Sequence, residues 1–554
     1  MGTGDRETQP HRTRRWVLAA GTVAAAVIII GIAFVVTHRH HAPPPIPAPA
    51  TVSGPFIAAW NERNWMAMAA FVTDPPPDFA ATYAAMLSDL QATAATFTPG
   101  PVTTILGNAT APFTATITIS GLGPWTYQGA IPLLLTKRAW SIEWSPAVVY
   151  PGLGPGDHLA FNRTMPTRAA VLAANGQPLA GVVDAAGLVG GVATATAAEA
   201  AVLGPPFKAG DDYGTSGLEA TYNAQLAGKP DGSVVVVDAA HHPGPPLYHF
   251  IGVAPEPVTT TIDPAMQAVA DRVLAPVSKN AALVAMNTTT GDVEAVISHP
   301  DGGYPRALVG TYPAGSTFKV ITATAAIMDG FTPTTTVQCP PNIDVDGRSF
   351  TNAENETYGA ISFEEAFAKS CNTAFIGTAE KITDAQLEAA ASLYGINTAW
   401  PFPVAHYGGQ LPTPLSPVEH AADAIGQGRV AVSPLEMCSI AAAVANGGWR
   451  PPQLVATTPP PAATPLPPTV TADLQLFMRA VVTSGTGTAA DIGGVPVYGK
   501  TGTAEFGTAT PPQTHAWFIG WRGTTAFAVI VEGGGFGGDV AAPLAAQFLS
   551  DLPG

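Results

Sequence analysis

Lysine and cysteine are scarce in this 554-residue chain, and its formal net charge is −16. Nucleic-acid binding is therefore disfavoured, because neutralising phosphates requires clustered cations. The three cysteines have no metal-type spacing, which argues against zinc, and their odd number leaves at least one thiol unpaired within the chain. Each of Cys339, Cys371 and Cys438 is expected to be a small buried hydrophobic residue. No metal and no cofactor is predicted.

A long apolar run at residues 16–36 contains no charged side chain. As a helix it would extend about 31 Å, enough to cross the hydrocarbon core of a bilayer. Four arginines precede it, so the positive-inside rule places residues 1–15 in the cytoplasm and the rest of the chain outside. The alternative is a cleaved signal peptide, whose apolar stretch normally has about 7–15 residues. We therefore expect a cell-membrane protein with one transmembrane helix at 16–37 and a Pro-rich linker at 38–52.

Two regions of different character follow the linker. Residues 53–150 show helical periodicity first and strand alternation afterwards, which predicts a small α+β domain with a curved sheet packed on helices. Residues 151–255 are poorly patterned. Within them, residues 168–176 and 214–228 resemble sequence signatures of the pedestal domain in class B penicillin-binding proteins, and this resemblance suggests that Arg168 pairs with Glu219, the alternative being a solvated Glu219.

The last region, residues 256–554, predicts a sheet built from both ends of the segment around a helical insert. A hairpin is expected over 281–298, and a helix should begin at Ser316 and stop near Gly330. The expected late elements are strands at 495–505, 515–521 and 526–532 and a closing helix at 541–549.

Three short motifs follow one another within this last region. The first and the third each contain a lysine, a residue that occurs only eight times in the chain. The motifs are Ser316-Thr317-Phe318-Lys319, Ser370-Cys371-Asn372 and Lys500-Thr501-Gly502-Thr503. A chance Lys-Thr-Gly is rare in so lysine-poor a chain, which makes the combination informative.

The first two motifs predict an activated serine. A Pro- and Gly-containing turn should place Ser316 at a helix N-terminus, with Lys319 one turn further along the same face. Burial and a second cation, Lys500, would lower the pKa of Lys319 until its neutral amine can take the proton of Ser316. Ser370 is expected to relay a proton to the leaving amine, and Asn372 to hold a substrate's backbone amide.

The third motif is expected on an edge-type strand that faces the cleft. Lys500 and Thr501 would bind a terminal carboxylate, and Gly502 would let a substrate backbone approach closely. The N–H groups of Ser316 and Thr503 are expected to form an oxyanion hole.

Together with Gly426-Gln427-Gly428 and Ser433-Pro434-Leu435, these motifs resemble those of class B penicillin-binding proteins. Residues 53–150 resemble the nuclear-transport-factor-like (MecA N-terminal-like) domain of methicillin-resistance transpeptidases and their actinobacterial relatives. The resemblance implies a multidomain α+β protein: a cone-shaped α+β domain at 53–150, a pedestal or dimerisation domain at 151–255, and a transpeptidase domain at 256–554. The transpeptidase domain would combine an antiparallel sheet with a helical subdomain.

The resemblance also implies peptidoglycan D,D-transpeptidation through a Ser316 acyl-enzyme, which β-lactam antibiotics would block covalently. The implied partners are peptidoglycan stem peptides, the cytoplasmic membrane, and a glycosyltransferase or membrane proteins of the division or elongation machinery. The N-terminal extension is similar to that of low-affinity enzymes, so reduced β-lactam susceptibility is expected. The alternatives are a membrane-anchored β-lactamase or D,D-carboxypeptidase of the same superfamily, a β-lactam sensor, and a non-catalytic cell-wall scaffold.

Overall fold

The computed structural model describes residues 45–509 and 511–553. The predicted cytoplasmic tail and the transmembrane helix at 16–37 lie outside these ranges. Within them, no helix combines the length and the apolar character needed to span a bilayer.

The N-terminal part is an antiparallel sheet packed against short helices, in the order that the change of periodicity predicts. Strand β3 buries every second side chain, because residues alternate between the two faces of a strand. Trp60 fills the interior and contacts the rings of Tyr83, Phe97 and Phe113. The sheet order is β1-β3-β4-β5, with β2 paired to β3. The elements are α1 (Ala50–Asn61), α2 (Trp65–Ala69), α3 (Phe79–Asp89), β1 (Ala92–Pro99), β2 (Thr103–Ile105), β3 (Asn108–Ile119), β4 (Gly123–Thr136) and β5 (Ala139–Ile142).

The middle part divides between two hydrophobic cores. Its three-stranded sheet, ordered β11-β10-β6, packs Phe161 and Phe250 into the N-terminal core, whereas Leu179 and Leu218 belong to the core of the C-terminal part. The elements are β6 (His158–Thr164), β7 (Val171–Leu172), α4 (Ala186–Val189), β8 (Val192–Thr194), α5 (Ala197–Leu203), β9 (Asp212–Gly214), α6 (Gly217–Thr221), α7 (Asn223–Ala227), β10 (Asp231–Val237), β11 (Pro243–Phe250) and β12 (Val258–Thr259).

The predicted ion pair in this middle part is confirmed. Arg168 Nε donates to Glu219 Oε2 at 2.6 Å, and a second guanidinium nitrogen donates to the Glu219 carbonyl at 2.8 Å. Both side chains are largely buried. The pair therefore fixes α6 to the chain that precedes β7.

The C-terminal part contains a five-stranded antiparallel sheet ordered β14-β13-β23-β22-β21, which confirms a sheet built from both ends of the region. Both faces of β13 are buried, because its alternate side chains enter two different cores. The elements before the insert are α8 (Pro264–Leu274), β13 (Ala281–Asn287), β14 (Val293–His299) and α9 (Arg306–Val309). The closing elements are β21 (Val497–Phe506), β22 (Gln513–Arg522), β23 (Thr525–Val531) and α17 (Gly537–Asp551).

A mainly helical insert lies between these two halves of the sheet and supplies most of the remaining core. It consists of α10 (Lys319–Met328), β15 (Thr336–Cys339), β16 (Asn342–Val345), β17 (Arg348–Thr351), β18 (Gly359–Ser362), α11 (Phe363–Ala368), α12 (Asn372–Ala379), α13 (Asp384–Ser392), α14 (Pro417–Ala424), α15 (Pro434–Asn446), β19 (Gly448–Trp449), β20 (Thr464–Pro465) and α16 (Pro468–Thr483).

The cysteines correct one expectation. Cys339 and Cys371 form a disulfide across a separation of 32 residues, so they are not the free buried thiols that the sequence predicts. Their Cα atoms lie 6.2 Å apart, and β15, which ends at Cys339, pairs with β18, a contact within the insert that the sequence does not reveal. Cys438 is free and buried, as expected.

Candidate active site

Ser316 lies in a 3₁₀ turn, Gly315–Phe318, that leads directly into α10. The turn depends on glycine, because Gly315 has φ +53° and a Cβ there would lie 2.8 Å from the Thr503 carbonyl oxygen. The Gly315 N–H donates to the Gly426 carbonyl at 2.7 Å. The serine is therefore held between β21 and the chain that follows α14.

Lys319 begins α10, and its side chain is fully buried beneath Ser316. Its Nζ lies 3.0 Å from Ser316 Oγ, 2.6 Å from the Ser370 carbonyl oxygen and 2.7 Å from Asn372 Oδ1. Burial, and after it the positive charge of Lys500, hold the pKa of Lys319 well below its ordinary value.

These contacts orient the neutral amine. The Ser370 carbonyl and Asn372 Oδ1 can only accept hydrogen bonds, so they take the two N–H groups of an uncharged Lys319. The nitrogen lone pair then remains for the hydroxyl hydrogen of Ser316. The geometry is that of a general base aimed at a nucleophile.

Lys500 approaches the same centre from β21. Its Nζ donates to Ser370 Oγ at 2.9 Å and to the Thr501 carbonyl at 3.1 Å. The side chain is fully buried, and burial lowers the pKa of Lys500 to about 7. Ser370 Oγ also lies 3.3 Å from the amine of Lys319, so this hydroxyl bridges the two lysines.

Asn372 lines the cleft and also contacts the protein through both ends of its side-chain amide. Its Oδ1 accepts from Lys319, and its Nδ2 donates to the Thr351 carbonyl at 3.0 Å. Both ends of the amide are thus engaged by the protein, and the side chain orients the base. The disulfide fixes Cys371 between Ser370 and Asn372, so it anchors both neighbours to β15.

The third motif lies on β21, an edge strand of the sheet. Thr501 is nearly buried, and its hydroxyl forms a hydrogen bond with Thr486. A Cβ at Gly502 would lie 2.8 Å from Thr317 Cγ2 and 2.9 Å from Trp517 Cβ. Glycine is therefore required here for packing against the serine turn, whereas the sequence suggested close approach of a substrate.

A cleft of about 510 Å³ is lined by residues from all three motifs. Thr503 lies on its wall, and Thr503 Oγ1 accepts from the Gly537 N–H at 3.3 Å. Sequence reasoning missed Thr486, for which no motif gave a signal, and the carboxylates of the cleft wall, which are Glu354, Glu356, Glu505 and Asp539. The structure thus brings together every predicted site residue: Ser316, Lys319, Ser370, Asn372, Lys500, Thr501, Gly502 and Thr503.

Two family models match the chain. Residues 281–550 match the penicillin binding protein transpeptidase domain, and residues 48–157 match the NTF2-like N-terminal transpeptidase domain. Both matches confirm the resemblance drawn from the three motifs and from the pattern of residues 53–150.

Curated relatives agree with these matches. Peptidoglycan D,D-transpeptidase PbpA of Mycolicibacterium smegmatis is 37% identical over 281 residues, which cover 43% of this chain and 54% of that protein. PbpA of Mycobacterium tuberculosis is 31% identical over 333 residues, covering 48% of this chain and 65% of that protein. The chain thus aligns with 54% and 65% of the lengths of these two relatives.

Solved structures share the fold. Pseudomonas aeruginosa PBP2 in complex with WCK 5153 has a TM-score of 0.60 at 25% identity, covering 71% of this chain and 96% of that one. A chain in the complex between penicillin-binding protein PBP2 and MreC from Helicobacter pylori has a TM-score of 0.65 at 17% identity. It covers 71% of this chain and 98% of that one, and at this identity the likeness concerns the fold alone.

Proposed function

We propose that this chain, whose residues 281–550 match the penicillin binding protein transpeptidase domain, is a class B peptidoglycan D,D-transpeptidase. The observation that carries the proposal is the buried amine of Lys319, 3.0 Å from Ser316 Oγ, with Ser316 on the wall of the cleft and Lys500 hydrogen-bonded to the neighbouring Ser370 hydroxyl. Burial lowers the pKa of both lysines, which suits them to proton transfer. Burying two lysines costs folding free energy, so their burial is not explained by stability.

In the proposed acylation step, Ser316 Oγ attacks the carbonyl carbon between the two terminal D-Ala residues of a donor stem peptide. Lys319 takes the hydroxyl proton as the O–C bond forms. Collapse of the tetrahedral intermediate breaks the C–N bond. Ser370, whose hydroxyl contacts both Lys319 and Lys500, then passes the proton held by Lys319 to the departing D-Ala amine. An acceptor stem amine then attacks the ester, forms the cross-link and returns the proton to Ser316.

Two further groups support binding and charge stabilisation. Lys500 and Thr501 are suited to the terminal carboxylate of the donor, or to the carboxylate of a β-lactam. The N–H groups of Ser316 and Thr503 would stabilise the oxyanion. These roles require Lys500 to be protonated when substrate binds, and a pKa near 7 allows this at neutral pH.

The cellular setting is part of the same proposal. A transmembrane helix at 16–37 would hold the catalytic part outside the cytoplasm, where peptidoglycan is cross-linked. The Helicobacter pylori complex pairs a penicillin-binding protein with MreC, which favours a membrane protein of the elongation machinery as a partner here. The N-terminal domain match also favours low β-lactam affinity and a role in resistance.

Labelled penicillin tests the proposed chemistry directly. It should acylate the wild-type chain, and both Ser316→Ala and Lys319→Ala should abolish labelling. Lys229→Ala is the matched control, because this lysine is exposed and distant in sequence from every motif. Labelling that survives Lys319→Ala would reject Lys319 as the base. A β-lactamase would instead release the label within minutes, whereas a transpeptidase should retain it.

A further inference from the structure

Two hairpin turns meet at one end of the N-terminal sheet. The β2–β3 turn contains Leu106 and Gly107, and the β4–β5 turn contains Lys137 and Arg138. The Leu135 N–H donates to the Gly107 carbonyl at 3.0 Å, so the two turns are direct neighbours.

Aliphatic side chains at this end are exposed without packing. Leu106 is 99% exposed and Ile105 is 72% exposed, and Leu134 on the adjacent strand is also exposed. Leu106 has φ +46°, a left-handed conformation that tight hairpin turns usually assign to Asn or Gly. A leucine there strains the backbone and packs against none of the residues that the structure describes, which points to a contact outside them.

The charge at this end is opposite to that of the whole chain. Residues 100–110 and 131–140 contain Lys137 and Arg138 but no Asp or Glu, although the chain as a whole carries a net charge of −16. Exposed aliphatic side chains beside cations are the composition of surfaces that bind anionic bilayers.

The chain also enters the structure at this end. Trp140, two residues beyond the β4–β5 turn, donates its Nε1–H to the Pro47 carbonyl at 2.9 Å. Pro47 is ten residues after the end of the predicted anchor at 16–37. Ten extended residues reach at most about 36 Å, so the anchor would keep the two turns close to the membrane surface. The intervening residues 38–47 include Arg39 and no acidic residue.

We propose that the hairpin surface, formed by Ile105, Leu106, Leu134, Lys137 and Arg138, docks on the outer face of an anionic bilayer. The aliphatic side chains would enter the boundary between headgroups and acyl chains, and the two cations would lie among lipid phosphates. Docking would give the catalytic part a fixed orientation above the membrane. The proposal rests on the predicted anchor and is independent of the transpeptidase activity.

The test uses the full chain in nanodiscs of phosphatidylglycerol or of phosphatidylcholine. A fluorophore is attached at Leu106→Cys, and at Val202→Cys as the matched control, since Val202 is an aliphatic residue 88% exposed on α5. The native cysteines should not react, because two form the disulfide and Cys438 is buried. Doxyl-labelled lipid reports contact by quenching the fluorophore.

We expect strong quenching at position 106 in phosphatidylglycerol, several-fold weaker quenching in phosphatidylcholine, and little at position 202 in either lipid. Lys137→Gln and Arg138→Gln should each weaken binding about fivefold, as should added salt. Quenching at 106 that does not exceed quenching at 202 overturns the proposal, as does equal quenching in the two lipids. Energy transfer between two labelled copies, without lipid quenching, would assign the surface to self-association. Co-elution of every variant with the nanodisc tests the anchor separately.

Discussion

Replacing Lys500 by methionine should move the pH dependence of Ser316 acylation. The amines of Lys319 and Lys500 lie 3.3 and 2.9 Å from the same Ser370 hydroxyl, so they are at most about 6 Å apart. At an effective dielectric constant of about 20, two unit charges at about 6 Å repel by about 3 kcal/mol, which corresponds to about a hundredfold in an equilibrium constant. Removing the Lys500 charge should therefore raise the pKa of Lys319.

The acylation rate constant for a fluorescent penicillin, measured from about pH 5 to 9, reports both lysines. In the wild-type chain the rate should rise with pH as Lys319 loses its proton, and fall above about pH 7 as Lys500 loses the charge that binds a carboxylate. In Lys500→Met the rising limb should move to higher pH, lowering the rate on that limb by up to about a hundredfold, and the falling limb should vanish.

Lys500→Arg is the matched control, because arginine keeps the positive charge and should hold the rising limb near its wild-type position. If the rising limb of Lys500→Met coincides with that of the wild-type chain, the charge of Lys500 does not tune the base. In that case burial alone sets the pKa of Lys319.

Three further outcomes follow from contacts in and near the site. Cys339→Ser should lower the free energy of unfolding by about 3–4 kcal/mol and slow acylation. Cys438→Ser, the control, should have smaller effects on both, and equal effects of the two substitutions would show that the disulfide has no special role. Asn372→Ala should slow acylation by about a hundredfold with little change in Tm, because Lys319 loses an acceptor that orients it; an unchanged rate would show that this acceptor does not orient Lys319. Arg168→Met should destabilise the chain by about 3–5 kcal/mol in urea unfolding, since it strands a buried carboxylate, and removal of that carboxylate as well should restore much of the loss.

Features with a local signature could be predicted from the sequence. The hairpin over 281–298 appears as β13 and β14, because two short, mainly apolar runs flank a Thr-Gly-Asp turn. The closing helix is longer than predicted, Gly537–Asp551, since its first turn is rich in glycine and carries no helical pattern. Arg168 and Glu219 were paired through a resemblance, and their contact is confirmed.

Features that depend on distances between remote segments could not be predicted. The Cys339–Cys371 link requires two Cα atoms to lie 6.2 Å apart, and Thr486 reaches Thr501 only because α16 packs beside β21. Gly502 was assigned to substrate access because a missing side chain suggests space, while the structure fills that space with Thr317 and Trp517. A motif identifies which residues lie at the same site, and the packing of the fold determines which neighbour each of them contacts.

Because β21 is an edge strand, one of its two sides has no partner strand in the sheet. Such an edge can pair with an extended segment of another molecule, including the same strand of a second copy, and this pairing can start aggregation. Here most of β21 is buried, which leaves little of it open to a strand of another molecule.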